Sequence, residues 1–230
     1  MIPQRLIDRV ETPDGQELVL YERDGVFTIR VGGWELMSSR AHGSEETLAT
    51  SILADVPSRH PTVLVGGLGM GYTLRAVLDT ISTTGRVVVA ELLPAIVSWN
   101  RNHLGHLARH PLDDPRVVLV ENDVGAVIAA RPRTFDAILL DVDNGPSALA
   151  DRRNAGLYTV AGLTAARRAL RPHGLLGVWS AEPDAPFERA LRRAGFRTHV
   201  EPVHARSGSK GPRHTIFVAR PSQRRGLTRR

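Results

Sequence analysis

Four short clusters of glycine and carboxylate residues in the middle of this chain have the residue types and spacing for chemistry. The first is Gly66-Gly67-Leu68-Gly69-Met70-Gly71. Its Gly-x-Gly-x-Gly spacing before Tyr72 suits a turn that opens a helix, where missing side chains let the backbone bend sharply and approach a nucleotide. A turn of purely structural purpose would use the same glycines. No Gly-Lys-Ser/Thr follows, so this is not a phosphate P-loop. The second station is Glu91, twenty residues beyond Gly71. A carboxylate at that distance from such a turn can accept hydrogen bonds from both hydroxyls of a ribose. The third is Glu121-Asn122-Asp123. Asp123 can accept from an adenine amino group, and it also stands where an N-cap would. The fourth is Asp141-Val142-Asp143-Asn144-Gly145-Pro146. Asp141, Asp143 and Asn144 crowd one turn, where they can orient or deprotonate an amine or bind a cation, or simply shape the loop.

Lesser candidates surround these. His42 and Glu45 or Glu46 stand where the first part of the chain should meet the cleft, and a substrate contact there competes with helix capping and a charged first turn. Tyr158 follows the acidic loop and is a candidate wall of the pocket. His103, His106 and His110 fall near one helical face, but no acid groups with them, and no metal site is expected. No serine sits in a Gly-x-Ser-x-Gly elbow.

Each of the four stations follows a short apolar run. Thr62 to Val65, Arg86 to Ala90, Arg116 to Val120 and Phe135 to Leu140 are strand-sized and apolar throughout, which suits strands buried on both faces of a parallel sheet. Helical patterns alternate with them: Tyr72 to Ile81, Pro94 to Leu104 with proline in the first turn, and Val124 to Ala130. A helix over Thr159 to Leu170, a strand over Leu175 to Trp179 and a helix over Pro186 to Ala194 follow. Two closing strands, Arg197 to Val203 and His214 to Ala219, have no helix between them and predict an antiparallel edge. Ahead of all this, Glu17 to Tyr21 and Val26 to Val31 flank an Asp-Gly turn, with a third strand at Trp34 to Met37. A helix should run from about Ser44 to Ala54. The fold class is therefore α/β, with a mostly parallel sheet, an antiparallel C-terminal edge and a small N-terminal β hairpin or meander. In open sheets of this kind ligands bind beyond the carboxyl ends of the strands, where all four stations lie. The expected division is a β-rich subdomain over 1–45, a nucleoside-binding domain over 46–219 and a basic tail over 220–230.

Composition bounds the rest. The chain has 230 residues, 42% of them hydrophobic, enough for a sizeable core. It has no cysteine, which excludes disulfides, thiolate metal sites and a cysteine nucleophile. The N-terminal residues lack the apolar stretch of a secretory signal, and no apolar run approaches the roughly 20 residues that span a bilayer. A cytoplasmic protein with no membrane partner is expected. The net charge of +6 is weighted by Arg220, Arg224, Arg225, Arg229 and Arg230. No aromatic residue interleaves with these arginines, so base stacking is not suggested and nucleic acid is not an expected partner.

The four stations in this order resemble the class I S-adenosyl-methionine-dependent methyltransferase fold, Rossmann-like, and more narrowly the spermidine synthases, the polyamine aminopropyltransferases. The matching segments are VLVGGLGMGYTLRAVL, VVVAELLPAIV, DPRVVLVENDV, FDAILLDVDNGP and GLYTVAGLTAARRALRPHGLLGVWS. The resemblance implies a nucleoside site at Gly66, Gly67, Gly69, Gly71, Glu91 and Asp123. It implies a catalytic role for Asp141 with Asp143 and Asn144, and a homodimer. Its cosubstrate would be decarboxylated S-adenosyl-methionine, with no metal, and its acceptor a small molecule such as a polyamine. The departures are specific. Gly69 stands where the family has an aspartate, Asn144 falls at the second aspartate of its acidic loop, and the family's Leu-Asp-Gly-x-x-Gln hairpin is reduced to Val31-Gly32-Gly33-Trp34-Glu35-Leu36. The family's Tyr-His-Glu has become Ser44-Glu45-Glu46. A dication needs several carboxylates around it, so a nucleoside site is better supported than a putrescine site. A methyltransferase using intact S-adenosyl-methionine and a non-catalytic nucleoside-binding protein stand as the alternatives.

Overall fold

A computed structural model describes residues 3–13, 15–142, 145–146, 152–206 and 210–222. Asp143 and Asn144 lie outside them, as does the tail beyond residue 222.

The chain opens with a four-stranded antiparallel sheet, β1 (Arg5–Glu11), β2 (Glu17–Arg23), β3 (Val26–Val31) and β4 (Trp34–Ser38), in sequential order. β1 adds an edge strand that the hydrophobic pattern does not predict. Its sequence, RLIDRVE, is largely exposed, and charged side chains are usual on edge strands. Helix α1 (Gly43–Leu53) then leads into a seven-stranded sheet. Its strands are β5 (Thr62–Gly66), β6 (Arg86–Glu91), β7 (Val117–Glu121), β8 (Phe135–Leu140), β9 (Leu170–Ser180), β10 (Phe196–Arg206) and β11 (Lys210–Pro221). The helices between them are α2 (Tyr72–Thr80), α3 (Pro94–Trp99), α4 (Val124–Ala129), α5 (Val160–Ala169) and α6 (Ala185–Arg193).

The order across the large sheet is β10-β11-β9-β8-β5-β6-β7. β5 pairs in parallel with both β6 and β8, β6 with β7, and β8 with β9. β11 is antiparallel to both β9 and β10, which makes the closing edge that the sequence predicts. The strand order reverses beside β5, so the open crevice lies at the carboxyl ends of β5 and β8.

Alternation along the strands sends side chains to two cores. Val63, Val65, Ala137, Leu139, Trp179, Ile216 and Val218 face one core with α1, α2 and α3. Leu64, Ile138, Leu140, Val178 and Phe217 face the other with α4, α5 and α6. The first core also takes Leu18, Leu20 and Ile29 from the small sheet. The small sheet is thus packed on the large domain by continuous apolar contact. Trp99, fully buried, ties down its edge by donating its indole N–H to Asp8 at 2.6 Å.

The helix expected from Pro94 to Leu104 changes pitch after Trp99. Residues Asn100–Leu104 form a π-helical turn and Gly105–Ala108 a 3-10 turn. Asn100 is the cause: buried, it donates to the carbonyl of Gly69 at 2.7 Å as well as to that of Ile96 at 2.9 Å. The bulge therefore serves the glycine turn, and π turns recur at such places.

Candidate functional site

The glycine turn hangs between β5 and α2. Gly67 has φ +87°, and its amide donates to the carbonyl of Ala90 at 2.9 Å. A Cβ on Gly67 would stand 2.3 Å from the carbonyl oxygen of Asp141, so only glycine permits the two strand ends to lie this close. Gly69 has φ +51°, and a Cβ there would meet the sulfur of Met37 at 3.1 Å. An aspartate here, as the resembling family carries, would have to hold this left-handed conformation and push Met37 aside by a few tenths of an ångström. Met37 on β4 occupies that ground instead.

Glu91 ends β6 and is buried. Its carboxylate accepts from the amide of Leu68, inside the glycine turn, at 2.9 Å, and from that of Leu93 at 2.8 Å. Glu91 therefore fixes the turn as well as presenting an acceptor. Asp123 caps α4, accepting from the amide of Ala126 at 2.8 Å.

Asp141 directly follows the sheet's central strand β8. Its amide donates to the carbonyl of Gly66 at 2.9 Å, and its carboxylate accepts from the hydroxyl of Thr73 at 2.5 Å. Burial pushes this carboxyl up to about 6, against the pull of the Thr73 hydroxyl. The adjoining carboxyl is Glu45, buried in the first turn of α1. Burial pushes it up to about 8, with the charge of Asp141 adding to the push and the hydrogen bond from Ser44 opposing it. Two carboxyls so placed resist ionising together.

A stability effect follows. Both carboxyls hold protons in the folded chain at pH values where the unfolded chain has released them. Stability of the ligand-free protein therefore falls as pH rises from the unfolded values toward about 8. Glu45→Gln carries no such proton, so its melting temperature should match wild type near pH 5 and exceed it increasingly toward pH 8. Parallel melting curves for the two proteins across that range would refute the raised carboxyl.

These groups converge on a cavity of about 380 Å³ between the two sheets. Gly67, Gly69, Glu91, Asp123 and Asp141 are on its wall, together with Asn122. Gly66 and Gly71 stand behind it, Gly66 close to Val124 and Leu140, Gly71 as N-cap of α2. Tyr158 is buried in the second core, where its ring meets Phe187 edge-on and its hydroxyl donates to the carbonyl of Val142 at 3.3 Å. His42 and Glu46 bind each other at 2.8 Å, and His42 stacks on Tyr72 at 4.2 Å. Glu45, not Glu46, is on the cavity wall.

Helical phase carries the signal for Glu45. The buried residues Leu48, Ala49 and Ile52 lie three, four and seven positions beyond it, which puts Glu45 on the inward face of α1. Sequence reasoning missed His214, Asn154 and Gln16, which line the cavity. His214 shares the alternation of Ile216 and Val218 and so faces α1, but only the antiparallel placement of β11 brings it to the carboxyl ends of the parallel strands.

Residues 42–185 match the family model of the spermine/spermidine synthase domain. The chain is 32% identical over 148 residues to polyamine aminopropyltransferase 2 of Pseudomonas aeruginosa, covering 60% of this chain and 40% of that protein. It is 29% identical over 199 residues to the polyamine aminopropyltransferase of Mycobacterium tuberculosis, covering 82% of this chain and 36% of the relative. The chain thus spans about two fifths of the length of these relatives. The crystal structure of spermidine synthase from Thermotoga maritima superposes with a TM-score of 0.76 at 22% identity, over 94% of this chain and 72% of that one. A spermidine synthase in complex with the transition-state analogue AdoDATO gives 0.75 at 21% identity, with the same coverage. These likenesses establish the Rossmann-like fold with its N-terminal sheet.

Proposed function

We propose that this chain, which belongs to the spermine/spermidine synthase family, binds decarboxylated S-adenosyl-methionine and transfers its aminopropyl group to an amine. The observation that carries this reading is the charge of the cavity wall. Glu35, Glu45, Glu91, Asp123 and Asp141 line it, and among the described residues no lysine or arginine does. A decarboxylated nucleoside brings a sulfonium and an ammonium, both cationic, and a carboxylate wall suits them. Intact S-adenosyl-methionine brings a carboxylate that would want a cation there.

In this reading the glycine turn cradles the nucleoside, Glu91 takes the ribose hydroxyls, and Asp123 and Asn122 face the base. Asp141 holds the attacking amine by charge and hydrogen bond. The amine nitrogen forms a bond to the carbon beside the sulfonium, and the carbon–sulfur bond breaks with its electron pair going to sulfur. Methylthioadenosine leaves as a neutral thioether. Catalysis is then mainly alignment of nitrogen, carbon and sulfur in one line. Asp143 and Asn144 remain proposed partners of Asp141 in this step, and Tyr158, His42 and Glu46 proposed supports of the pocket. A cytoplasmic homodimer completes the reading. Light scattering at twice the chain's mass would support the dimer.

Calorimetric titration with each nucleoside tests the cosubstrate. The decarboxylated form should bind at least ~10-fold more tightly than the intact one, about 1.4 kcal/mol. The reverse preference would favour methyl transfer. Binding of both weaker than ~1 mM, about −4 kcal/mol, would refute the nucleoside site.

A further inference from the structure

Ser44 joins its sequence neighbour Glu45 to His214, which lies 170 residues beyond Ser44. Its hydroxyl donates to a carboxylate oxygen of Glu45 at 2.6 Å and lies 2.9 Å from Nδ1 of His214. Ser44 is fully buried and Glu45 nearly so, while His214 is half-buried. Glu45 and His214 both line the cavity that holds Asp141. Trp179, also on the wall, meets the ring of His214 edge-on, with centroids 4.7 Å apart, and confines it.

One proton per link sets the tautomer. When the Ser44 hydroxyl donates to Glu45, the remaining hydrogen bond requires Nδ1–H of His214 to donate to Ser44. Nε2 then bears the lone pair. If Nε2 accepts a proton, Nδ1 can release its own to Ser44, and Ser44 can pass its hydroxyl proton to Glu45. The imidazole ends neutral and the carboxyl protonated.

We propose that His214, Ser44 and Glu45 form a proton relay that deprotonates the acceptor amine, with His214 Nε2 receiving the proton and Glu45 holding it. The proposal rests on the aminopropyl-transfer reading. The acceptor enters as R–NH3+ and gives one proton to Nε2. The freed lone pair forms the new carbon–nitrogen bond, the carbon–sulfur bond breaks toward sulfur, and the product nitrogen keeps the positive charge that sulfur loses. The relay goes from one negative charge to none, and its proton later returns to solvent. The step starts from ionised Glu45, a state that the raised carboxyl reaches toward pH 8 and that the charge of a bound ammonium favours; this carboxylate balances the incoming ammonium and disappears as a charge when that ammonium does.

The surroundings agree with this direction. Burial lowers the basicity of His214 and raises that of Glu45, so the proton comes to rest on the carboxyl. Glu45 also holds a proton more firmly than Asp141, which leaves Asp141 ionised to grip the amine. The groups acting on Glu45 are Asp141 from β8 and Glu46 from its own helix, and Tyr72 of α2 faces both glutamates. His214 meets Ser44 on one side and Trp179 on another.

The test is turnover of decarboxylated S-adenosyl-methionine with diaminopropane, putrescine, cadaverine and spermidine, as a function of pH. His214→Ala should lower kcat roughly 100-fold or more at pH 7. The loss should shrink as pH approaches the amine's own pKa, and added imidazole should restore part of it. Ser44→Ala, which cuts the relay, should lose at least ~10-fold with the same pH trend. The Kd for methylthioadenosine should stay within about threefold of wild type in each, the factor that separates a chemical from a folding defect. Should His214→Ala fail to bind methylthioadenosine, His214→Asn keeps the bond to Ser44 but lacks the base, and must show the same loss. A His214 variant that keeps pace with an active wild type, or loses the same factor at every pH, overturns the relay alone. A wild type that binds the nucleoside and turns over none of the amines overturns the transfer reading, and the relay with it.

Discussion

Replacing Glu91 with alanine should weaken methylthioadenosine binding by at least ~100-fold, about 2.7 kcal/mol. Two losses combine. The first is the pair of charge-assisted hydrogen bonds to a ribose that the proposed reading gives Glu91, each roughly twice as strong as a neutral one. The second is the turn itself. Glu91 holds the amide of Leu68 at 2.9 Å, in the middle of the glycine sequence, and anchors it to the end of β6 through Leu93 at 2.8 Å. Without the carboxylate the buried amide of Leu68 loses its acceptor, at roughly 1–3 kcal/mol, and the loop must find another arrangement before it can bind. Glu91→Gln keeps an acceptor oxygen but lacks the charge, and should fall between the two. Calorimetry with methylthioadenosine reads the affinity, and thermal melting without ligand reads the turn. An unchanged Kd in Glu91→Ala would remove Glu91 from the nucleoside site, whatever happened to stability.

What could be read from the sequence follows from how far each determinant reaches along the chain. The buried runs of β5, β6 and β8 are apolar on both faces, so they stand out from any neighbour. The acids that follow them fall at strand ends by register alone. That places Glu91 and Asp141 on one cavity without knowledge of any long-range contact, and Asp123, after the partly exposed edge strand β7, joins them as the N-cap of α4. The π turn at Asn100 is different, because its cause is a carbonyl in the glycine turn, 31 residues away in sequence. β1 is similarly hidden: its pairing with β2 is clear only once β2 exists, and its polar composition says nothing by itself. Glu45 could have been chosen over Glu46 from helical phase. His214 could not, since its place depends on β11 running antiparallel to β9 and beside α1. The proposed acceptor side of the cavity, with Glu45 and His214, is assembled from the two ends of the chain. The proposed nucleoside side is assembled from consecutive βα units, and this is the side that local pattern resolves.

Asp141→Asn should lower kcat/KM for the amine roughly 10²- to 10³-fold while leaving the methylthioadenosine Kd within about threefold, because a buried charge partner of a bound cation is worth a few kcal/mol. The substitution is nearly isosteric. Its amide oxygen can still accept from Thr73, and the backbone bond from the residue 141 amide to the Gly66 carbonyl is unaffected. The close passage of Gly67 under the carbonyl of residue 141 is unaffected as well. Only the charge goes. An ammonium entering the site would then lack the carboxylate that stays ionised while Glu45 takes up the relayed proton, and desolvating a cation without a lasting partner is costly. Raising the pH separates this defect from that of the relay. High pH supplies the free amine that a missing base would have made, but it does not restore a missing anion that positions the nitrogen. The Asp141→Asn loss should therefore persist across the pH range where the His214→Ala loss shrinks. A variant within tenfold of wild type at neutral pH would show that Asp141 only shapes the turn. A loss that shrinks with rising pH, as for His214→Ala, would make Asp141 the base itself.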